Sequence, residues 1–204
     1  MKTHLVIIFV IVMALCFLLG CASAQPAPAT VEPPRPSVAY DLAWKKPEWT
    51  SALVGKIRQN LPSLKKAKDV WAFCPKYAKL NDEQKVRMFA ELMVEMARYE
   101  SAFNPKASFK EPPPLNIYSM GLYQLSTPDV KYGGSCTKVS SYPALHDPIK
   151  NINCAVEILA KLVARDWVIS NSKNKGGARY WSVLRVGRKL EPIRSKVRKL
   201  NFCS

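Results

Sequence analysis

NDEQKVRMFAELMVEMARYESAFNP, residues 81–105, is the stretch that decides the fold. Asn81 is an N-cap candidate, and Asp82 and Glu83 occupy the first turn, where acids suit the helix dipole. Val86, Phe89, Met93, Ala97 and Glu100 follow at spacings of 3, 4, 4 and 3, which is one face of a helix. Asn104-Pro105 stops it. Glu100 therefore stands on the apolar stripe, projecting the same way as Met93 and Val86. Glu91 and Glu95 fall on other faces and read as surface charges. An ionised carboxylate on a core-facing stripe is costly, so it is paired or has a raised pKa. A raised pKa is what keeps a general acid protonated near neutrality. The alternative is a glutamate at a frayed helix end, facing water or paired with Arg98 or Lys106.

Working outward, a second strong helix opens at Asp147-Pro148, cap then N1 proline, with the stripe Ile152, Val156, Leu159, Val163 and Trp167. Upstream, Trp49 to Leu61 reads as helix ended by Pro62. Downstream, shorter helices are expected over Arg179–Val186 and Pro192–Leu200. Lys106 to His146 is rich in Pro, Gly, Ser and Tyr without a clean period, and so long a loop tends to be functional. A short hairpin near Ser119–Gln124 is the one strand reading. The fold class is mainly α, with a long loop or small hairpin region forming a cleft. Residues 40–204 make one domain, enough chain for a single core.

Residues 1–20 read as an export signal: Lys2, an apolar run from Leu5 to Leu19, then Leu18-Leu19-Gly20-Cys21. The run is too short and wrongly flanked for a permanent span, which needs about 20 apolar residues. The segment resembles a bacterial lipobox, with Cys21 as the lipidated residue; an ordinary cleavage at Ala22-Ser23-Ala24 is the alternative. Residues 21–39 form a linker rich in proline (Pro26, Pro28, Pro33, Pro34, Pro36) that behaves as a semi-rigid spacer. The expected location is the outer membrane, lipid-anchored and facing the periplasm.

The chain has 204 residues and a net charge of +16, or +15 without residues 1–20. Lys173 to Ser204 holds ten Lys or Arg against one acid, Glu191. Outside the cell such a surface meets an acidic envelope polymer rather than nucleic acid; a merely solvated basic face is the alternative. Cys74, Cys136, Cys154 and Cys203 remain for two disulfides, with three possible pairings. Cys136–Cys154, clamping a Gly-rich loop to a helix, and Cys74–Cys203, tying the domain's start to its last residues, are favoured. Ligand pairs spaced like CxxC are missing, so neither a metal nor another cofactor is expected.

Ala97-Arg98-Tyr99-Glu100-Ser101-Ala102-Phe103-Asn104-Pro105, then Gly121-Leu122-Tyr123-Gln124-Leu125, then Asp147-Pro148 with Asn151-Ile152 resemble the soluble lytic transglycosylases, relatives of goose-type lysozyme. Order and spacing match over roughly Lys85 to Trp167. The resemblance implies a lysozyme-like domain that cleaves peptidoglycan between MurNAc and GlcNAc. Glu100 would protonate the glycosidic oxygen, then take the proton of the sugar's own 6-hydroxyl to close a 1,6-anhydro ring. Ser101 would position the acid or the sugar, Gly121 would let backbone approach the glycan, and Tyr123 and Gln124 would bind it. Tyr118, Tyr123, Tyr132 and Tyr142 suit sugar stacking. Two departures stand out: Tyr123 where the family usually has Met, and Ala178-Arg179-Tyr180-Trp181 where it has Ala-Tyr-Asn. Tyr180 takes the place of the tyrosine whose hydroxyl meets the catalytic Glu. Asp129 or Glu111 activating water would give a hydrolase instead, and a non-catalytic peptidoglycan-binding lipoprotein is the competing class. The protein is expected to be a monomer. His146 reads as a residue at the start of a helix.

Overall fold

The computed structural model describes residues 40–170, 174–185 and 187–204. The export signal, Cys21 and the proline-rich linker lie outside the described residues, as does Val186.

Helix α1 (Pro47–Leu64) starts on a proline and continues three residues past the expected end. Pro62 lies in its last turn rather than beyond it. Leu61 and Leu64 are buried, and that packing holds the last turn to the core although Pro62 donates no backbone bond. Helix α2 (Asp82–Ser101) begins as expected: Gln84 N–H donates to the Asn81 side chain while the Gln84 amide oxygen accepts from Asn81 N–H. Every residue from Met88 to Ala97 is buried, so α2 is a central helix with no solvent face over that stretch. This corrects the reading of Glu91 and Glu95 as surface charges. Glu91 is 5 % exposed and paired with Arg87, and Glu95 is 4 % exposed and paired with Arg98.

After α2, strands β1 (Ser108–Lys110) and β2 (Tyr118–Met120) pair antiparallel, with Phe109 opposite Ser119. The hairpin thus begins upstream of the expected position. Residues 120–125 instead make a tight bend in which Met120 and Leu125 exchange backbone bonds of 2.7 and 2.9 Å. A single turn, α3 (Tyr142–Leu145), precedes α4 (Pro148–Asp166), whose N-terminus is capped by Asp147. Ile152, Val156, Leu159 and Val163 are buried as the stripe predicts. Trp167 is not. The helix stops at Asp166, and Trp167 takes a left-handed cap conformation that turns its ring outward beneath the Lys68 ammonium. Instead of one helix over 179–186 there are two 3-10 turns, Gly177–Arg179 and Ser182–Leu184. Helix α5 (Leu190–Arg198) closes the fold.

α1 packs along α4, and α2 packs against α1 and α5. Two disulfides, Cys74–Cys203 and Cys136–Cys154, have the favoured pairing. In the chain-entropy picture, closing 129 residues limits the unfolded chain by about 5 kcal/mol and closing 18 by about 3. Among the described residues no helix is long and apolar enough to cross a membrane.

Candidate active site

Glu100 occupies the last turn of α2, where the buried helix meets the surface. Immediately beyond it, Ala102 and Phe103 both take left-handed conformations, φ 51° and 63°, which are strained for residues with a side chain. They are held there from several sides. Ala102 N–H donates to Arg98 O, Asn104 N–H donates to Ser101 O, and the Phe103 ring packs on Trp44 and under the Arg98 guanidinium. The sharp turn leaves the Glu100 carboxyl at the wall of a cleft of about 430 Å³. One of its oxygens, Oε1, is buried without a hydrogen-bond partner. Burial pushes its pKa up to about 7, opposed by Lys189 and Arg185 and reinforced by Glu111.

One wall is the hairpin. Glu111, just after β1, lines the cleft and accepts a 2.6 Å bond from Ser119 Oγ on β2. The facing wall is the turn Ser126–Asp129. Asp129, 2 % exposed, accepts from Ser126 N–H at 2.7 Å and from Ser126 Oγ at 3.1 Å. It also accepts a short bond from the Tyr180 hydroxyl, which burial and Asp129 together hold well above its usual pKa. Tyr180 thus lines the cleft as the sequence suggests, but its hydroxyl is directed to Asp129 and not to Glu100.

The segment 121–125 forms the floor, and it is fixed from behind by one side chain. Asn151, fully buried on α4, accepts from Tyr123 N–H and donates to Met120 O and Leu145 O, at 2.9 to 3.1 Å. All its amide groups are satisfied. Gly121 (φ +77°) lies against this amide; a Cβ there would come 2.3 Å from Leu145 O and 2.4 Å from Asn151 Nδ2. Its smallness serves packing against α4 rather than a bound glycan. Ser101 likewise works within the fold, donating toward Ala97 O and Leu122 O. Gln124 reaches the cleft, with its amide donating to Gly121 O at 2.9 Å.

Tyr123 is a correction. Its side chain is fully buried, so it is a core residue with no access to a ligand. Its carbonyl accepts from Trp181 Nε1 at 3.0 Å, and Trp181, 2 % exposed, lines the cleft. Of the other tyrosines proposed for stacking, Tyr118 and Tyr142 are exposed and touch edge to face away from the cleft lining. Tyr132 packs on Tyr180. His146 caps α3, and its Nδ1 lies 3.0 Å from Pro105 O, a structural role. Sequence reasoning missed Ser119, Ser126, Lys131 and Arg185 as cleft residues; the Ser126-x-x-Asp129 capping pattern was a readable sign of the turn.

Comparisons with known proteins bear on the family and the fold. The sequence model of one family, described as the transglycosylase SLT domain, matches residues 79–177. Solved structures of DslA, in a wild-type form and in two variants that each carry one glutamate-to-glutamine replacement, resemble the chain at 32% identity and a TM-score of 0.69. The match covers 77% of this chain and 91% of DslA. Among curated proteins, none matches this chain.

Proposed function

The chain belongs to the transglycosylase SLT domain family, whose fold here is mainly helical and lysozyme-like, and from that premise we propose that it cleaves the β-1,4 bond between MurNAc and GlcNAc in peptidoglycan. The observation that carries this reading is the buried, unpartnered carboxyl of Glu100 at the cleft wall. With its pKa raised to about 7, Glu100 keeps a large protonated fraction near neutrality and donates to the glycosidic oxygen. The resulting carboxylate then removes the proton of the muramyl 6-hydroxyl, which attacks the anomeric carbon and closes the 1,6-anhydro ring. The substrate's N-acetyl group assists, so no second carboxylate takes part.

Hydrolysis is the second reading, and two observations favour it. Glu111 faces the same cleft, held by Ser119. In DslA the two glutamates replaced in the solved variants stand eleven positions apart, the separation of Glu100 and Glu111. In this reading Glu111 activates water against the sugar that Glu100 has protonated. Digesting sacculi with the protein and weighing the products decides between the two. Anhydro ends, one water lighter than reducing ends, support the transglycosylase; reducing ends whose release is lost in Glu111→Gln support the hydrolase. Binding to sacculi without release of any product would leave a peptidoglycan-binding protein.

We also propose that the chain is an outer-membrane lipoprotein facing the periplasm, lipidated at Cys21. Labelled palmitate should be incorporated into the full chain in a bacterial host and be lost in Cys21→Ser. Incorporation unchanged by that substitution would refute the anchor.

A further inference from the structure

Three positive charges gather at the cleft. Arg185 and Lys189 come from the basic stretch after residue 173, in which some cations are paired and others, such as Arg188 and Lys199, have no ion pair among the described residues. Lys131 comes from outside that stretch. Arg179 is paired with Asp166, and Arg194 and Arg198 are paired with Glu191. Lys131, Arg185 and Lys189 have no carboxylate within ion-pair distance among the described residues. Lys131 and Arg185 line the cleft itself, and Lys189 stands close enough to act on the charge of Glu100. The cleft's own acids are not ion-paired with them. Glu111 is held by Ser119, and Asp129 by Ser126 and Tyr180. Arg185 is also oriented: its Nε donates to Ala178 O at 3.1 Å, which anchors the guanidinium, and its terminal amino groups have no hydrogen-bond partner among the described residues.

These cations work against the chemistry they surround. A general acid needs its proton, and Arg185 and Lys189 favour its loss. Three unpaired cations around an acid make sense if an anion arrives with the substrate. A chain of N-acetylglucosamine carries no charge. A muramyl residue adds an acidic arm at its 3-position: a lactyl carboxylate when bare, or the carboxylates of a peptide attached through it.

We propose that Lys131, Arg185 and Lys189 form a carboxylate subsite that takes the acidic arm of a muramyl residue, so that the cleft selects an anionic strand over a neutral one. This rests on the reading that the cleft holds a peptidoglycan strand. The anchored guanidinium presents a fork suited to bidentate contact with a carboxylate, while the two ammonium groups add charge without fixing direction. Once the arm is seated, its negative charge offsets the pull of Arg185 and Lys189 on the Glu100 proton. The strand that fits the subsite therefore also restores the acid.

The test uses the full chain carrying Glu100→Gln, so that bound strands stay intact. Calorimetry compares three oligomers of equal length: a neutral chitin oligosaccharide, a peptide-free peptidoglycan strand and a peptide-bearing one. An acidic strand should bind about tenfold more tightly than the neutral one, and the preference should shrink at high salt. Preference for the bare strand assigns the lactyl carboxylate, and preference for the substituted strand assigns the peptide. Adding Arg185→Gln with Lys189→Gln should remove most of the preference, with a thermal melt matching that of Glu100→Gln alone to show that the variant is folded. Lys131→Gln, on a separate element, should lower the same preference, and Arg185→Lys should retain part of it. Equal binding of all three strands overturns the subsite alone, as does a preference that survives these substitutions. Binding of none overturns the reading of the cleft, and the subsite with it.

Discussion

Glu100 shows how one side chain is prepared by position. Its place on the stripe buries it, the helix end gives it a cleft, and burial raises its pKa, with Oε1 left without a hydrogen-bond partner. The stripe spacing made this legible in the sequence. Tyr123 was not legible, because a motif records which residues neighbour each other in the chain and not which way a bend points them. Two predictions belong at this scale. Glu100→Gln should lower product release from sacculi by a factor of about 10² to 10⁴, the range for loss of a general acid; near-normal release would remove Glu100 from the chemistry. Because its folded pKa lies above the ordinary value of 4.5, the carboxyl costs stability as pH rises from about 4.5 to about 7, on the order of 3 kcal/mol in full. Thermal melts of the wild type should therefore fall behind those of Glu100→Gln at pH 8 by more than at pH 4. A gap that does not change with pH would mean that the carboxyl is not held neutral.

Among the elements, α4 does more than support the core. Asn151 is the link between it and the cleft floor, and its three bonds are to backbone groups that cannot reach water. Asn151→Ala leaves Tyr123 N–H, Met120 O and Leu145 O without that partner, at a cost of about 3 kcal/mol or more. Urea unfolding would measure this, and a loss under about 1 kcal/mol would show that the floor is held by other means. The main helices were legible from caps and period: Asn81 and Asp147 begin α2 and α4 where expected. What escaped were places where packing overrides local signals. Pro62 does not end α1 because Leu61 and Leu64 hold the turn. Glu91 and Glu95 are buried because α2 is surrounded on all sides, a fact that one helix's period cannot contain. Trp181 stands where the family has Asn, and its indole N–H supports the Tyr123 carbonyl, a role visible only once residues 123 and 181 meet in space.

For the molecule as a whole, the disulfides act at different ranges. Cys136–Cys154 secures the Gly-rich loop to α4, while Cys74–Cys203 encloses Glu100, the hairpin, the floor and Arg185 within one loop. Replacing Cys74 and Cys203 by serine should lower unfolding free energy by about 5 kcal/mol, against about 3 for the Cys136 and Cys154 pair. The reverse order in denaturant melts would show that the long loop is held by packing rather than by its bond. The pairing also has a consequence for biosynthesis. A chain leaves the ribosome from one end, and every cleft residue is made before Cys203. A copy interrupted between Lys189 and Cys203 holds every cleft residue but cannot close the long loop. By the loop-entropy figure such a fragment is about 5 kcal/mol less stable than the bonded chain, so the cleft is held at full stability only after Cys203 has been made and oxidised.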